Sequence, residues 1–221
     1  MKLEAITFDI GGIIYSDSVF KHSIYRALDE LSDGIDSQRF EEIYNNHLES
    51  QSGSLRSKLC IAFFGNLDRK EELIKRATEY WVFEESDLYK DAIPCITHMK
   101  NLGCRIGIVA NQAATVVDAL TSHQIAPMID YMGVSAIVGV EKPNREIYQK
   151  ALLALGTDPT KTLHVGNRLD TDVLPAQGLG MRTAWILRGE ANPHPSSEDL
   201  ETPDIVLPSL EKLPELIASL S

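Results

Sequence analysis

The sequence predicts an α/β protein: a mostly parallel sheet covered by helices on both faces, with a small helical bundle inserted early in the chain. Three observations carry this prediction. An apolar run at residues 3–8 reads as a buried strand, residues 19–85 carry apolar positions at helical spacing, and beyond residue 90 short strand-like runs alternate with helical ones. Strands that alternate with helices pair in parallel, because each return crossover lays a helix on one face of the sheet.

Taken in order, Val19, Phe20, Ile24, Ala27, Leu28 and Leu31 line one side of a first helix, and amphipathic stretches follow near 38–50, 55–65 and 69–85. Asp68 and Glu71 have the spacing of a capping box and place a helix start there. Further on, residues 104–110, 136–140, 162–165, 183–187 and 204–207 read as strands, with helices starting near Ala92, Ala113, Arg145, Asp172 and Leu210. The segment 190–203, rich in Pro, Ser and acids, reads as a surface loop. The first strand belongs to the later sheet, so the expected domains are a core of residues 1–14 and 89–221 and a helical domain of residues 15–88.

A chain of 221 residues is long enough to bury a substantial core. It has 21 Lys and Arg against 32 Asp and Glu, a net charge of −11, with no dense basic run; nucleic acid and anionic membranes are not expected partners. Cys60, Cys95 and Cys104 form neither a paired framework nor a CxxC, which points to a reducing compartment and away from zinc. No stretch approaches the roughly 20 apolar residues that span a bilayer, and no secretory leader is visible, so a soluble cytoplasmic protein is expected. Composition leaves monomer and homodimer both open.

In an open parallel sheet, the residues after the C-terminal ends of the strands converge on one crevice. Four such places carry polar groups: Asp9 in Phe8-Asp9-Ile10-Gly11-Gly12, Asn111 after Val109-Ala110, Lys142 in Gly139-Val140-Glu141-Lys142-Pro143, and Asn167 with Asp172 in the stretch that begins Val165-Gly166. The paired glycines after Asp9 let backbone groups approach a ligand closely. A carboxylate, an amine and a second acidic loop in this order suit a phosphoryl group bound together with a divalent cation.

This combination resembles the haloacid dehalogenase (HAD) superfamily of hydrolases over the whole chain. The surrounding words agree: Leu88-Tyr89-Lys90-Asp91-Ala92-Ile93-Pro94, Lys142-Pro143 before a helix, and Gly178-Leu179-Gly180-Met181 before a later strand. The resemblance implies a Rossmann-like core and makes the inserted bundle a cap over the substrate. It implies that Asp9 is the nucleophile, forming an aspartyl-phosphate, and that Lys142 neutralises the nucleophile and the transferring group. Phosphoryl oxygens would be held by Asn111, Gln112 and amides of the Gly11-Gly12 turn. Magnesium would be held by Asp9, the backbone carbonyl of Gly11 and Asn167, with Asp172 either coordinating it or supporting a ligand.

Other polar residues near these motifs read more simply. Asp170 suits the positive end of the following helix, His164 suits the sheet interior, and Trp81, Phe83 and Tyr89 suit core packing; Arg168 faces the crevice by position alone.

Three positions depart from the family's pattern. Its phosphatases usually carry a second Asp two residues after the nucleophile, as general acid and base, and here that residue is Gly11. Loss of such a group costs about 10²–10⁴-fold in rate, least where the leaving group departs readily. Ala110 stands where a Ser or Thr hydroxyl is usual, and Asn167 where an Asp is usual. Three readings follow: a magnesium-assisted phosphatase of a small phosphorylated metabolite, a ligand-binding or regulatory protein that has lost catalysis, and a metal-independent dehalogenase-like hydrolase. Restoring the lost groups by Gly11→Asp and Asn167→Asp is expected to separate weakened catalysis from a re-purposed pocket.

Overall fold

The computed structural model describes residues 3–219. Its centre is a six-stranded sheet, every neighbouring pair parallel, formed by β1 (Ala5–Phe8), β2 (Arg105–Ala110), β3 (Tyr131–Val134), β4 (Thr162–Gly166), β5 (Arg182–Ile186) and β6 (Ile205–Leu207). The order across the sheet is β3-β2-β1-β4-β5-β6. All four residues of β1 are buried, as a central parallel strand covered on both faces requires. Thr7, the polar member, is satisfied inside the sheet by the His164 Nδ1 at 2.9 Å.

This order fixes where a site can form. From β1 the chain steps to β2 and β3 on one side, then crosses back to β4, β5 and β6 on the other. Crossovers therefore leave in opposite directions beside β1, and a crevice opens beyond its C-terminal end. Asp9 is the first residue past that end.

The first four helices after β1 form the inserted bundle: α1 (Ser18–Leu31), α2 (Ser37–Ser50), α3 (Leu55–Phe64) and α4 (Lys70–Tyr80). They share an apolar cluster of their own, with Ile24, Leu28, Phe40, Leu59 and Leu73 fully buried. Phe20 packs against both this cluster and the main one beneath the sheet. Asp36 caps α2 through the amides of Gln38 and Arg39, and Ser54 caps α3 through that of Ser57. The remaining helices are α5 (Ala92–Asn101), α6 (Val116–Ser122), α7 (Ser135–Val138), α8 (Arg145–Leu155), α9 (Leu174–Gln177), α10 (Ser197–Glu201) and α11 (Leu213–Ser219). No helix among the described residues is long and apolar enough to cross a membrane.

Several local expectations are corrected. The third strand lies at Tyr131–Val134 rather than 136–140, where the chain makes the short turn of α7 and ends on Gly139 in a left-handed conformation. A four-residue edge strand containing Gly133 gives little periodicity, whereas the apolar run after it mimics a strand. Asp68 and Glu71 do not form a capping box: α4 starts at Lys70, with Arg69 at its cap and no side-chain cap bond. The helix expected from Asp172 begins at Leu174, because residues Leu169–Val173 form a wider π-helical turn.

Truncating Leu28, fully buried in the cluster of the inserted helices, to Ala is expected to cost about 2–5 kcal/mol. Urea unfolding of the purified variant measures it.

Candidate active site

The Lys142 ammonium lies 2.8 Å from Asp9 Oδ1 and 2.5 Å from Asp172 Oδ1, with all three side chains nearly or fully buried. Burial works against the charge of Lys142, but Asp172 and Asp9 outweigh it and hold the ammonium above its usual range. Asp9 is pushed up, first by burial, with Lys142 pulling it back and Asp172 adding to the rise. Asp172 goes the other way: burial opposes ionisation, yet Lys142 and His164 hold its carboxyl well below the usual range. The result is a fixed cation between a permanent carboxylate and a more weakly held one that faces the crevice.

Local structure sets each member. The π-helical turn folds Asp172 back under the end of β4, so that its Oδ2 accepts from the Arg168 amide at 3.0 Å. His164 reaches Asp172 Oδ1 at 3.3 Å from within β4. The Lys142 loop is tied down by Asn111, whose Nδ2 donates to the Lys142 carbonyl at 2.9 Å and whose Oδ1 accepts from the Lys142 amide at 2.7 Å. After Asp9 the chain turns tightly. Arg188 clamps that turn through bonds of 2.7 Å to the carbonyls of Gly12 and Ile13, while pairing with Asp91 and lying over the Tyr89 ring.

Asp9, Asn111, Lys142 and Arg168 lie on the polar floor of a cavity of 630 Å³ whose other wall comes from the inserted helices. Phe20, Arg56 and Trp81 face it from that wall. The Arg56 guanidinium lies near the rings of Phe20 and Trp81 and makes no ion pair among the described residues. Burial pulls its pKa down, with Glu141 and Glu190 opposing. Two further buried groups at the cavity lack partners among the described residues, the Trp81 indole N–H and the Gln112 Oε1. One side of the cavity is sealed where the helices meet the core. Tyr44 donates to Glu190 at 3.1 Å, the Gln51 side chain bridges the Glu190 carbonyl and the Leu169 amide, and His47 Nε2 lies 3.0 Å from Arg168. Burial, with the charges of Arg168 and Lys58, lowers the His47 pKa to about 3, so it meets the guanidinium as a neutral acceptor.

The sequence-predicted residues sort into three groups. Asp9, Gly11, Gln112, Lys142 and Asn167 line the same cavity. Asn111 also borders it and holds the lysine loop, with its Oδ1 and one of its two amide hydrogens engaged by the Lys142 backbone. Gly12 adopts a left-handed conformation beneath Asn167 and its carbonyl is taken by Arg188, which makes it a turn residue. His164 and Asp170 are not idle: the first supports Asp172, and the second holds Arg168 through bonds of 3.0 and 2.9 Å.

The expected magnesium set is not assembled as a whole. Asp172 has both oxygens engaged, by Lys142 and His164 on one and the Arg168 amide on the other. Asn167 presents its amide nitrogen to Asp17 at 2.8 Å and to the Arg188 carbonyl at 3.2 Å, and neither bond uses its Oδ1. Asp9, the Gly11 carbonyl and Asn167 Oδ1 remain. One carboxylate and two carbonyl oxygens fit magnesium only with water and substrate phosphate completing its shell, a common mode for this ion.

Sequence reasoning missed Asp17. Its carboxyl is buried at the cavity, accepts from Asn167 Nδ2 and, at 2.7 Å, from the Glu190 amide, and burial together with the charges of Glu190 and Asp9 drives its pKa well up. In the sequence it precedes a helix and reads as an ordinary cap.

Comparison with known proteins agrees with the geometry. The family model for haloacid dehalogenase-like hydrolases matches residues 3–180. A glyceraldehyde 3-phosphate phosphatase of Methanocaldococcus jannaschii is 28% identical over 99% of this chain and 98% of its own. Its counterpart from Methanopyrus kandleri is 26% identical over 99% of each. The fold is shared with CbbY from Rhodobacter sphaeroides, solved in complex with phosphate, at a TM-score of 0.73 and 18% identity over 96% of both chains.

Replacing Lys142 by Met leaves Asp9 and Asp172 facing each other in the interior without their cation. Loss of one partner from such a buried pair costs about 3–5 kcal/mol, and the variant is expected to show that loss in denaturant unfolding at neutral pH.

Proposed function

Because the chain belongs to the haloacid dehalogenase-like hydrolases, we propose that it is a phosphatase of a small phosphorylated metabolite, with Asp9 as nucleophile. The observation that carries this reading is the Asp9 carboxylate at the switch point of the sheet, 2.8 Å from a buried ammonium on the floor of a polar cavity. An oxygen of Asp9 attacks phosphorus, the ester P–O bond breaks, and an aspartyl-phosphate forms. Water then attacks phosphorus and returns the free carboxylate with inorganic phosphate. Lys142 neutralises Asp9 as it approaches the phosphoryl group and balances the charge that collects on the phosphoryl oxygens.

Magnesium, held by Asp9, the Gly11 carbonyl and the Asn167 amide oxygen, would supply the remaining charge neutralisation. Gln112 offers an amide whose Oε1 has no partner among the described residues. On the opposite wall, Arg56 and the Trp81 N–H, which have no ion pair and no hydrogen-bond partner among the described residues, suit an oxygen-rich, short substrate whose far end reaches the inserted helices. The relatives named as glyceraldehyde 3-phosphate phosphatases support that substrate class. Cys60, Cys95 and Cys104, all buried, suit a reducing, cytoplasmic setting.

The test is phosphate release from a panel of triose, sugar and acyl phosphates. The wild type is expected to turn over part of the panel, Asp9→Asn to lose at least about 10⁴-fold, and chelation to lower turnover that added magnesium restores. A flat panel, or an Asp9→Asn variant as fast as the wild type, would sink the reading.

A further inference from the structure

The side chain absent at position 11 has not left a gap. A Cβ built on Gly11 would lie 2.2 Å from Asp17 Oδ1 and 3.4 Å from its Cγ, so the Asp17 carboxyl fills the volume that a side chain two residues after the nucleophile would enter. We propose that Asp17 is the second active-site carboxyl group of this enzyme, reaching the cavity from the start of α1 into the space left open at Gly11. The assignment rests on the phosphatase reading and adds to it the group that serves the leaving oxygen.

Two independent features of the structure agree. Asp17 is the N-cap residue of α1, where an Asp ordinarily turns its carboxylate onto the amides of the first turn, yet it makes no side-chain cap bond. Its Oδ2 accepts instead from the Asn167 amide and the Glu190 amide at 2.8 and 2.7 Å, which aims the carboxyl across the Gly11-Gly12 turn. The second feature is the residue at 167. Its nitrogen donates to Asp17, and an Asp there would set two carboxylates at that same short separation. Gly11 and Asn167 are thus both matched to a carboxyl arriving from position 17. One relocation accounts for two of the three departures from the family's pattern.

Chemically, the protonated Asp17 carboxyl gives its proton to the ester oxygen as the bond to phosphorus breaks, leaving an alcohol and an aspartyl-phosphate on Asp9. The Asp17 carboxylate then takes a proton from the attacking water, whose oxygen bonds to phosphorus as the bond to Asp9 breaks. Free Asp9, inorganic phosphate and protonated Asp17 result. No other reactant is needed.

The experiment compares the wild type, Asp17→Asn, Asp17→Ala, Gly11→Asp and the double variant Gly11→Asp/Asp17→Ala on an alkyl phosphate and an acyl phosphate, with Tm measured for each. Asp17→Asn and Asp17→Ala are expected to lose about 10²–10⁴-fold on the alkyl ester and at least about tenfold less on the acyl phosphate, whose leaving group needs little protonation. Gly11→Asp is expected to lower Tm while Asp17 is present and to be tolerated in the double variant. That variant is also expected to recover at least about tenfold of the alkyl-ester activity lost by Asp17→Ala. An equal loss on both substrates, or a Gly11→Asp variant as stable as the wild type, overturns the assignment and leaves the phosphatase reading standing. A wild type inactive on the alkyl phosphate and the acyl phosphate alike sinks both.

Discussion

The buried ammonium of Lys142 is the contact on which the rest of the site depends. It stands between two carboxylates taken from different strand ends, Asp9 beyond β1 and Asp172 in the turn beyond β4, and it arrives from a loop that neither strand controls. A charge so placed carries a large desolvation cost unless its geometry is fixed. Much of the surrounding structure does that fixing: Asn111 ties down the lysine backbone, His164 and the Arg168 amide hold Asp172, and Thr7 orients His164 from inside the sheet. The Asp9 carboxylate can then face the cavity with its charge balanced from behind.

The inserted helices bring a different kind of constraint. They meet the core through a mixed seam in which Glu190 accepts from Tyr44, and Arg168 lies against neutral His47 while paired with Asp170. A protonated His47 would oppose Arg168, and burial removes that option. The seam therefore closes one side of the cavity through directional bonds, while Phe20 links the two apolar clusters. Arg56 is left on the cavity wall with aromatic rings beside it and no ion pair among the described residues, so the cavity has a cation at each end, Lys142 on the floor and Arg56 on the helical wall.

Much of this was legible in the chain because it depends on local pattern. The four strand-end motifs could be placed as soon as the alternation of strands and helices was seen, and Asp9, Gln112, Lys142 and Asn167 do meet at one cavity. What escaped depends on through-space geometry. The third strand was displaced because a Gly-containing edge strand has a weaker pattern than the helical turn that follows it. Asn111 has the residue type of an anion ligand, and only the fold shows that its amide is engaged by a backbone 31 positions away. Asp17 was harder still, since Ser-Asp-Ser before an apolar helical run is an ordinary start of a helix.

Positions 11, 17 and 167 are best understood as one electrostatic and steric unit. A carboxylate on each of the three would place like charges at hydrogen-bond distance in a site that already holds Asp9, and a side chain at 11 would collide with the one at 17. Removing the side chain at 11 opens the volume, and replacing a carboxylate by an amide at 167 turns repulsion into a donated hydrogen bond. The departures at Gly11 and Asn167, which taken singly suggest a failing phosphatase, are therefore mutually consistent with a carboxyl supplied from α1. This arrangement also joins the chemistry to the inserted helices: Asp17 is the residue at which the chain leaves the nucleophile loop and enters α1, so any shift of that helix relative to the sheet moves the carboxyl with it. The placement of that carboxyl and the seating of the inserted helices on the core are thereby coupled through the chain itself, since α1 begins at the residue after Asp17.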